Sequence, residues 1–185
     1  EIVDVERGRV VRKLAPEGVG AISSPTWSPD GRTLAFSGMR NGLGDLFLMD
    51  IETGEVRQLT DDRYSNLHPD FSPDGSKLVY STDEGPDTNF ETLVFGHQRL
   101  AIIDVQTGQR ELLEAFPGVK HINPQYSPDG RSLYFIANPE GFSDIFRMDL
   151  QTGELYQITR VATGVSGVTD MSPALSVADR TGRML

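Results

Sequence analysis

The sequence predicts an all-β fold of repeated four-stranded antiparallel blades, and three features carry that expectation. A turn phrase recurs in one frame: WSPDGRTLAFS from Trp27, FSPDGSKLVYS from Phe71 and YSPDGRSLYFI from Tyr126. A second phrase follows each copy: DLFLMDIETGEVRQLT from Asp45, RLAIIDVQTGQRELL from Arg99 and DIFRMDLQTGELYQIT from Asp144. Between these turns the apolar residues alternate, as in Leu78 and Tyr80 against Lys77, Val79 and Ser81. That is the period of strands, and no stretch sustains a helical period.

The elements follow in order. The chain opens on the second phrase, EIVDVERGRVVRKL, so 1–15 reads as a half blade of third and fourth strands. Complete blades follow over 22–60, 66–114 and 121–160, the second carrying a long loop at 83–98. A last half blade, first and second strands, covers 170–185. The whole of 1–185 is one repeat region. In Ser-Pro-Asp-Gly, Pro29, Pro73 and Pro128 fix φ, and Asp30, Asp74 and Asp129 bond backbone amides. Gly31, Gly75 and Gly130 then take the left-handed conformation. Asp-x-x-Thr-Gly, ending at Gly54, Gly108 and Gly153, makes the second hairpin of each blade. The fourth copy, SPALSVADRTGRML, departs from the pattern, with Val177-Ala178-Asp179 in place of Pro-Asp-Gly. Leu175 is expected in its aromatic slot, so the slots lie 44, 55 and 49 residues apart. Trp27, Phe71 and Tyr126, at one fixed place per blade, are expected to pack in the core.

A single four-stranded sheet cannot bury both faces, so neighbours must stack; repeats of this length fit a β-propeller. The two end halves permit a closed four-bladed ring or an open arc of a larger propeller. The last strand is short and pairs weakly, which favours the open arc.

Composition removes several function classes. The net charge of -10 opposes binding to phosphate backbones, so no nucleic-acid partner is expected. No apolar run approaches the roughly 18 residues of a membrane span. Cysteine is absent, which removes disulfides and thiolate chemistry. There is no Gly-x-Ser-x-Gly elbow, phosphate loop or HExxH, so no catalytic residue is expected. Acidic pairs such as Asp61-Asp62 and Asp83-Glu84 read as solvated loop charges.

The constant turns of such a blade share one face and the variable loops share the other, where function is expected. The candidate binding residues on that side are Asn89, Phe90, Glu91 and His97 of the long loop. Thr92 to Phe95 is read as an extension of the third strand. His68, His121 and Gln125 should lie near the central channel. Convergent His with Gln can bind a divalent metal, but the two histidines stand at different offsets from their prolines. No metal or other cofactor is expected.

The combined pattern PxFSPDGxxLxF and DIFxMDxxTGExxxLT resembles the TolB-type, or WD40-like PD40, propeller repeat, over nearly the whole chain. The Gly-His and Trp-Asp dipeptides of ordinary WD40 repeats are missing. The resemblance implies larger rings of six or more blades. It also implies a non-catalytic scaffold in the bacterial periplasm or outside the cell, with a protein partner such as a peptidoglycan-associated lipoprotein. The same repeats resemble the propellers of prolyl-oligopeptidase-type and tricorn-type peptidases, which gate access to a fused catalytic domain of the same chain. A third resemblance is to oligosaccharide lyases that use a His/Gln metal site.

Overall fold

A computed structural model of the chain describes residues 1–165, 167, 169, 171–178 and 180–185. Asp170 and Asp179, at the expected start and turn of the last half blade, lie outside the described residues. The fold is all-β, with no helix among the described residues. It opens on a two-stranded sheet, β1 (Ile2–Asp4) and β2 (Arg9–Arg12). Three four-stranded antiparallel meanders follow. The first is β3 (Gly20–Trp27), β4 (Thr33–Arg40), β5 (Leu43–Asp50) and β6 (Val56–Gln58). The second is β7 (Asn66–Phe71), β8 (Lys77–Thr82), β9 (Arg99–Asp104) and β10 (Arg110–Leu113). The third is β11 (His121–Tyr126), β12 (Ser132–Ala137), β13 (Asp144–Asp149) and β14 (Leu155–Gln157).

The turns are built by the residues that recur. The Ser28 hydroxyl donates to Asp30 Oδ1 at 2.7 Å, and that oxygen accepts the Arg32 N–H at 3.0 Å. Ser28 Oγ accepts the Thr33 N–H at 2.9 Å. The same bonds recur at Ser72 and Asp74 and at Ser127 and Asp129. The Ser72 hydroxyl is the main reason the Asp74 carboxyl is drawn down to about 2. In the second hairpin Asp50 Oδ1 accepts the Thr53 N–H at 2.7 Å and its hydroxyl at 3.0 Å. Gly75 has φ +74°, and a Cβ there would lie 3.4 Å from Pro29 Cδ of the preceding blade's turn. Gly75→Ala is therefore expected to cost about 1 kcal/mol or more. Urea unfolding checks this, and an unchanged midpoint would contradict it.

Blades stack face to face through apolar clusters. Ala35, Leu46 and Leu48 of the first blade meet Phe71, Leu78, Tyr80, Ala101 and Ile103 of the second. Val79 and Ile102 meet Tyr126 and Leu133 of the third. Ile122 and Ile136 meet Leu175 and Val177 beyond it. The arrangement is open. β1 pairs with β2, and the far end holds a separate bridge from Val177 to Met184.

Two expectations are corrected. Trp27 is 46% exposed, whereas Phe71 and Tyr126 in the same slot are each 7% exposed. Each of the latter two packs on the second strand of the preceding blade, through Ala35 or Val79. The sheet before Trp27 is the two-stranded β1–β2. Trp27 is the only tryptophan of the chain, so its emission is expected to be red-shifted and readily quenched by acrylamide. Blue-shifted, protected emission would mean that this edge is covered.

The second correction is a two-residue slip in the fourth copy. Ala178 N–H donates to Arg183 O at 2.8 Å, as Ser28 N–H does to Thr33 O at 2.8 Å. Val177 pairs with Met184 as Trp27 pairs with Leu34. The aromatic slot is thus Val177, not Leu175. Both side chains are buried in one cluster, and a slip of two leaves the strand period unchanged.

Candidate functional site

The inner strands β3, β7 and β11 and residues 173–177 line a groove of about 730 Å³ along the channel. Each strand carries a β-bulge at its proline, and the residue before it is left-handed: Ser24 (φ +48°), His68 (φ +54°) and Asn123 (φ +50°). These bulges aim side chains at the next blade. His68 Nδ1 accepts the Asn123 N–H at 3.4 Å, and Asn123 Oδ1 accepts the Ala174 and Leu175 N–H groups at 3.0 and 2.8 Å. The residue after the proline repeats the device. Asp70 Oδ2 accepts the Tyr126 N–H at 2.9 Å, and Gln125 Oε1 accepts the Val177 N–H. His68 and Gln125 therefore latch one blade to the next.

His121 lies elsewhere. It is buried, stacked on the Phe116 ring with centroids 6.1 Å apart. Its Nε2 accepts the Phe116 N–H at 3.1 Å, and Nδ1 lies 3.2 Å from Gln98 O. Burial holds its pKa down at about 4, with Arg99 and His97 adding to the effect. Burial also lowers that of His68, opposed by a bond to the Met171 backbone. His121 faces the packed interior where His68 and Gln125 line the groove, so the three do not converge. Among the described residues no three His, Asp or Glu side chains are grouped to hold a metal.

The variable-loop face has its own repeated anchor. The Thr60 hydroxyl and the Gln58 amide donate to Asp45 at 2.9 and 3.0 Å. Thr159 and Gln157 do the same for Asp144 at 2.8 and 3.2 Å. In the second blade this position is Arg99, and the long loop supplies the carboxylate: Asp87 Oδ1 lies 2.6 Å from the guanidinium. The loop is further fixed by Gly96 N–H donating to Thr88 Oγ1 at 2.9 Å. Asn89 Oδ1 accepts the Glu91 and Thr92 N–H groups at 2.9 and 3.0 Å. Phe90 packs beneath, its ring 5.3 Å from Tyr64 and under the Arg63 guanidinium at 4.1 Å.

Asn89 and Phe90 thus shape the loop, while Glu91 and His97 are exposed. Thr92 to Phe95 does not extend β9, which starts at Arg99. Val94 instead bridges back to Asn89, and Leu93, Val94 and Phe95 project at 71%, 54% and 59% exposure. The sequence assigns these three to a strand; the signal for a projecting tip is the run Leu-Val-Phe among the acidic residues of the loop. Leu43, the first residue of β5, and Phe142, between β12 and β13, lie at the same end of the other two blades and are also exposed.

Residues 2–90 match the family described as PD40, TolB beta propeller domain, and the recurring phrases over the rest of the chain resemble the same repeat. The chain is 32% identical over 143 residues to "Uncharacterized peptidase YuxL" of Bacillus subtilis, covering 63% of this chain and 22% of that protein. It is 27% identical over 153 residues to "Dipeptidyl-peptidase 5" of Porphyromonas gingivalis, covering 73% and 20%. The structure of TolB from Acinetobacter baumannii shares the fold, with a TM-score of 0.64, 23% identity, and coverage of 78% of this chain and 34% of that one. The chain thus spans about a fifth of these two curated relatives.

Proposed function

We propose that this open stack of TolB-type propeller blades is a non-catalytic binding module whose partner site is the variable-loop face. One observation carries the reading. Three successive blades each expose large apolar side chains on this face, at Leu43 where β5 begins, at Leu93 to Phe95 and at Phe142. The opposite face repeats one turn three times and offers a partner little to discriminate. The partner is a protein, and a periplasmic or extracellular bacterial setting, with a lipoprotein of the peptidoglycan-associated kind as one candidate, accords with the TolB likeness.

The peptidase names of two relatives favour a second reading. In it the same face docks or gates a catalytic domain of a larger chain, and this segment performs no chemistry itself. The metal-lyase reading draws no support, since His68 and Gln125 accept backbone bonds and His121 faces away.

Peptides selected from a display library against the immobilised chain provide the test. Leu43→Ser, Phe95→Ser and Phe142→Ser are expected to weaken them at least about tenfold in sum, the scale of interface anchors. Lys77→Glu and Arg131→Glu, beside the turns, are expected to leave them within about twofold. The reverse ranking would overturn the proposal.

A further inference from the structure

The geometry points to the tip of the long loop, Leu93-Val94-Phe95, as a preformed anchor for an apolar pocket rimmed by Lys and Arg on a partner protein. This rests on the loop-face reading and adds the chemistry of the partner. Three observations carry it. First, the tip is built rather than merely tolerated. Asp87 takes up Arg99, Phe90 is wedged between Tyr64 and the Arg63 guanidinium, and Asn89 bonds across the turn. An ordered tip loses little conformational entropy on binding.

Second, Leu93 is left-handed, with φ +54°. A leucine is strained there where glycine or asparagine would not be. Its side chain makes up for none of that by burial, being 71% exposed. Strain of this kind clusters at ligand clamps and switch regions.

Third, charge selects the class of partner. Residues 83–98 hold Asp83, Glu84, Asp87 and Glu91 and no Lys or Arg, in a chain of net charge -10. Arg99 and Arg110 pair with Asp87 and Glu84. Among the described residues Glu91, beside the apolar tip, has no ion pair. Peripheral membrane segments combine apolar tips with Lys and Arg that meet anionic lipid. This loop has the opposite sign, so a protein pocket with a basic rim fits it and an anionic bilayer does not.

The probes are an amphipathic Leu/Lys helical peptide, a Leu/Glu peptide of the same length and spacing, and vesicles of phosphatidylglycerol and phosphatidylcholine. Anisotropy titrations are expected to show the Leu/Lys peptide bound at least about tenfold more tightly than the Leu/Glu peptide, with no tip-dependent vesicle binding. Leu93→Asn with Phe95→Ser should reduce peptide binding at least about tenfold and leave the circular dichroism unchanged. The Phe95 ring also packs edge-on against Phe90, with centroids 6.4 Å apart, so Leu93→Asn alone, which keeps the backbone conformation and that contact, should also weaken the Leu/Lys peptide and reports the exposed side chain. Glu91→Lys should weaken the Leu/Lys peptide and strengthen the Leu/Glu peptide. Several outcomes overturn the inference: no binding of the Leu/Lys peptide, equal binding of the two peptides, binding indifferent to the tip variant, or tip-dependent capture by vesicles. If the tip variant is silent while Leu43→Ser and Phe142→Ser still weaken library-selected peptides, the loop-face reading stands and this inference falls.

Discussion

Replacing Leu133 with alanine is expected to lower the unfolding free energy by about 3 kcal/mol, within the usual range for a leucine emptied from a packed core. Leu133 is fully buried where the second and third blades meet, against Val79 and Tyr126. Its backbone partner across the sheet is Met148, also buried. The cavity would open at a joint between blades, and a stacked array is held by such nearest-neighbour joints. The cost should therefore appear as a lower urea midpoint. Leu112 on the outer strand β10 is 41% exposed, so Leu112→Ala should cost under about 1 kcal/mol. Equal losses for the two variants would contradict the packing described.

Acid is expected to weaken the fold between about pH 6.5 and pH 4. His121 has an ordinary pKa of 6.5 and is held at about 4 by burial. Folded, it stays neutral, because Nε2 must accept the Phe116 N–H. Unfolded, it takes up a proton below pH 6.5, so the unfolded chain binds more protons and stability rises with pH through this window. The stability is complete above pH 6.5 and is lost as pH falls towards 4. At about 1.4 kcal/mol for each unit, the loss is about 3 kcal/mol. His68, lowered in the same direction and bonded to Asn123 N–H, adds to it. Asp74, drawn down to about 2, works in the same direction but only as pH falls below its ordinary 3.8. Urea midpoints measured from pH 7 to pH 4 should fall steadily, and His121→Gln should flatten the slope. A flat profile in the unsubstituted chain would contradict neutral, buried histidines.

The blades were legible because their turns are local. Ser-Pro-Asp-Gly and Asp-x-x-Thr-Gly dictate backbone geometry within a few residues, and alternation between them sets the strands. The fourth hairpin was misaligned because strand period cannot detect a slip of two. Trp27 was placed in the core because its slot is buried elsewhere; burial depends on a neighbouring blade, which no local pattern reports. The latches of His68, Asn123, Asp70 and Gln125 were hidden for the same reason, since each acceptor meets a backbone group of the next blade. In the candidate site, sequence singled out the long loop and its residues 89–91. The projection of Leu93 to Phe95 became visible only when Phe90 was seen to turn inward and Asn89 to close the turn.

Hydrogen–deuterium exchange of the chain with and without a library-selected peptide tests the division between the two faces most directly. The account predicts added protection confined to residues 40–43, 89–96 and 138–143. Protection centred on the turns at 28–33, 72–77 and 127–132, with those loops unchanged, would contradict it.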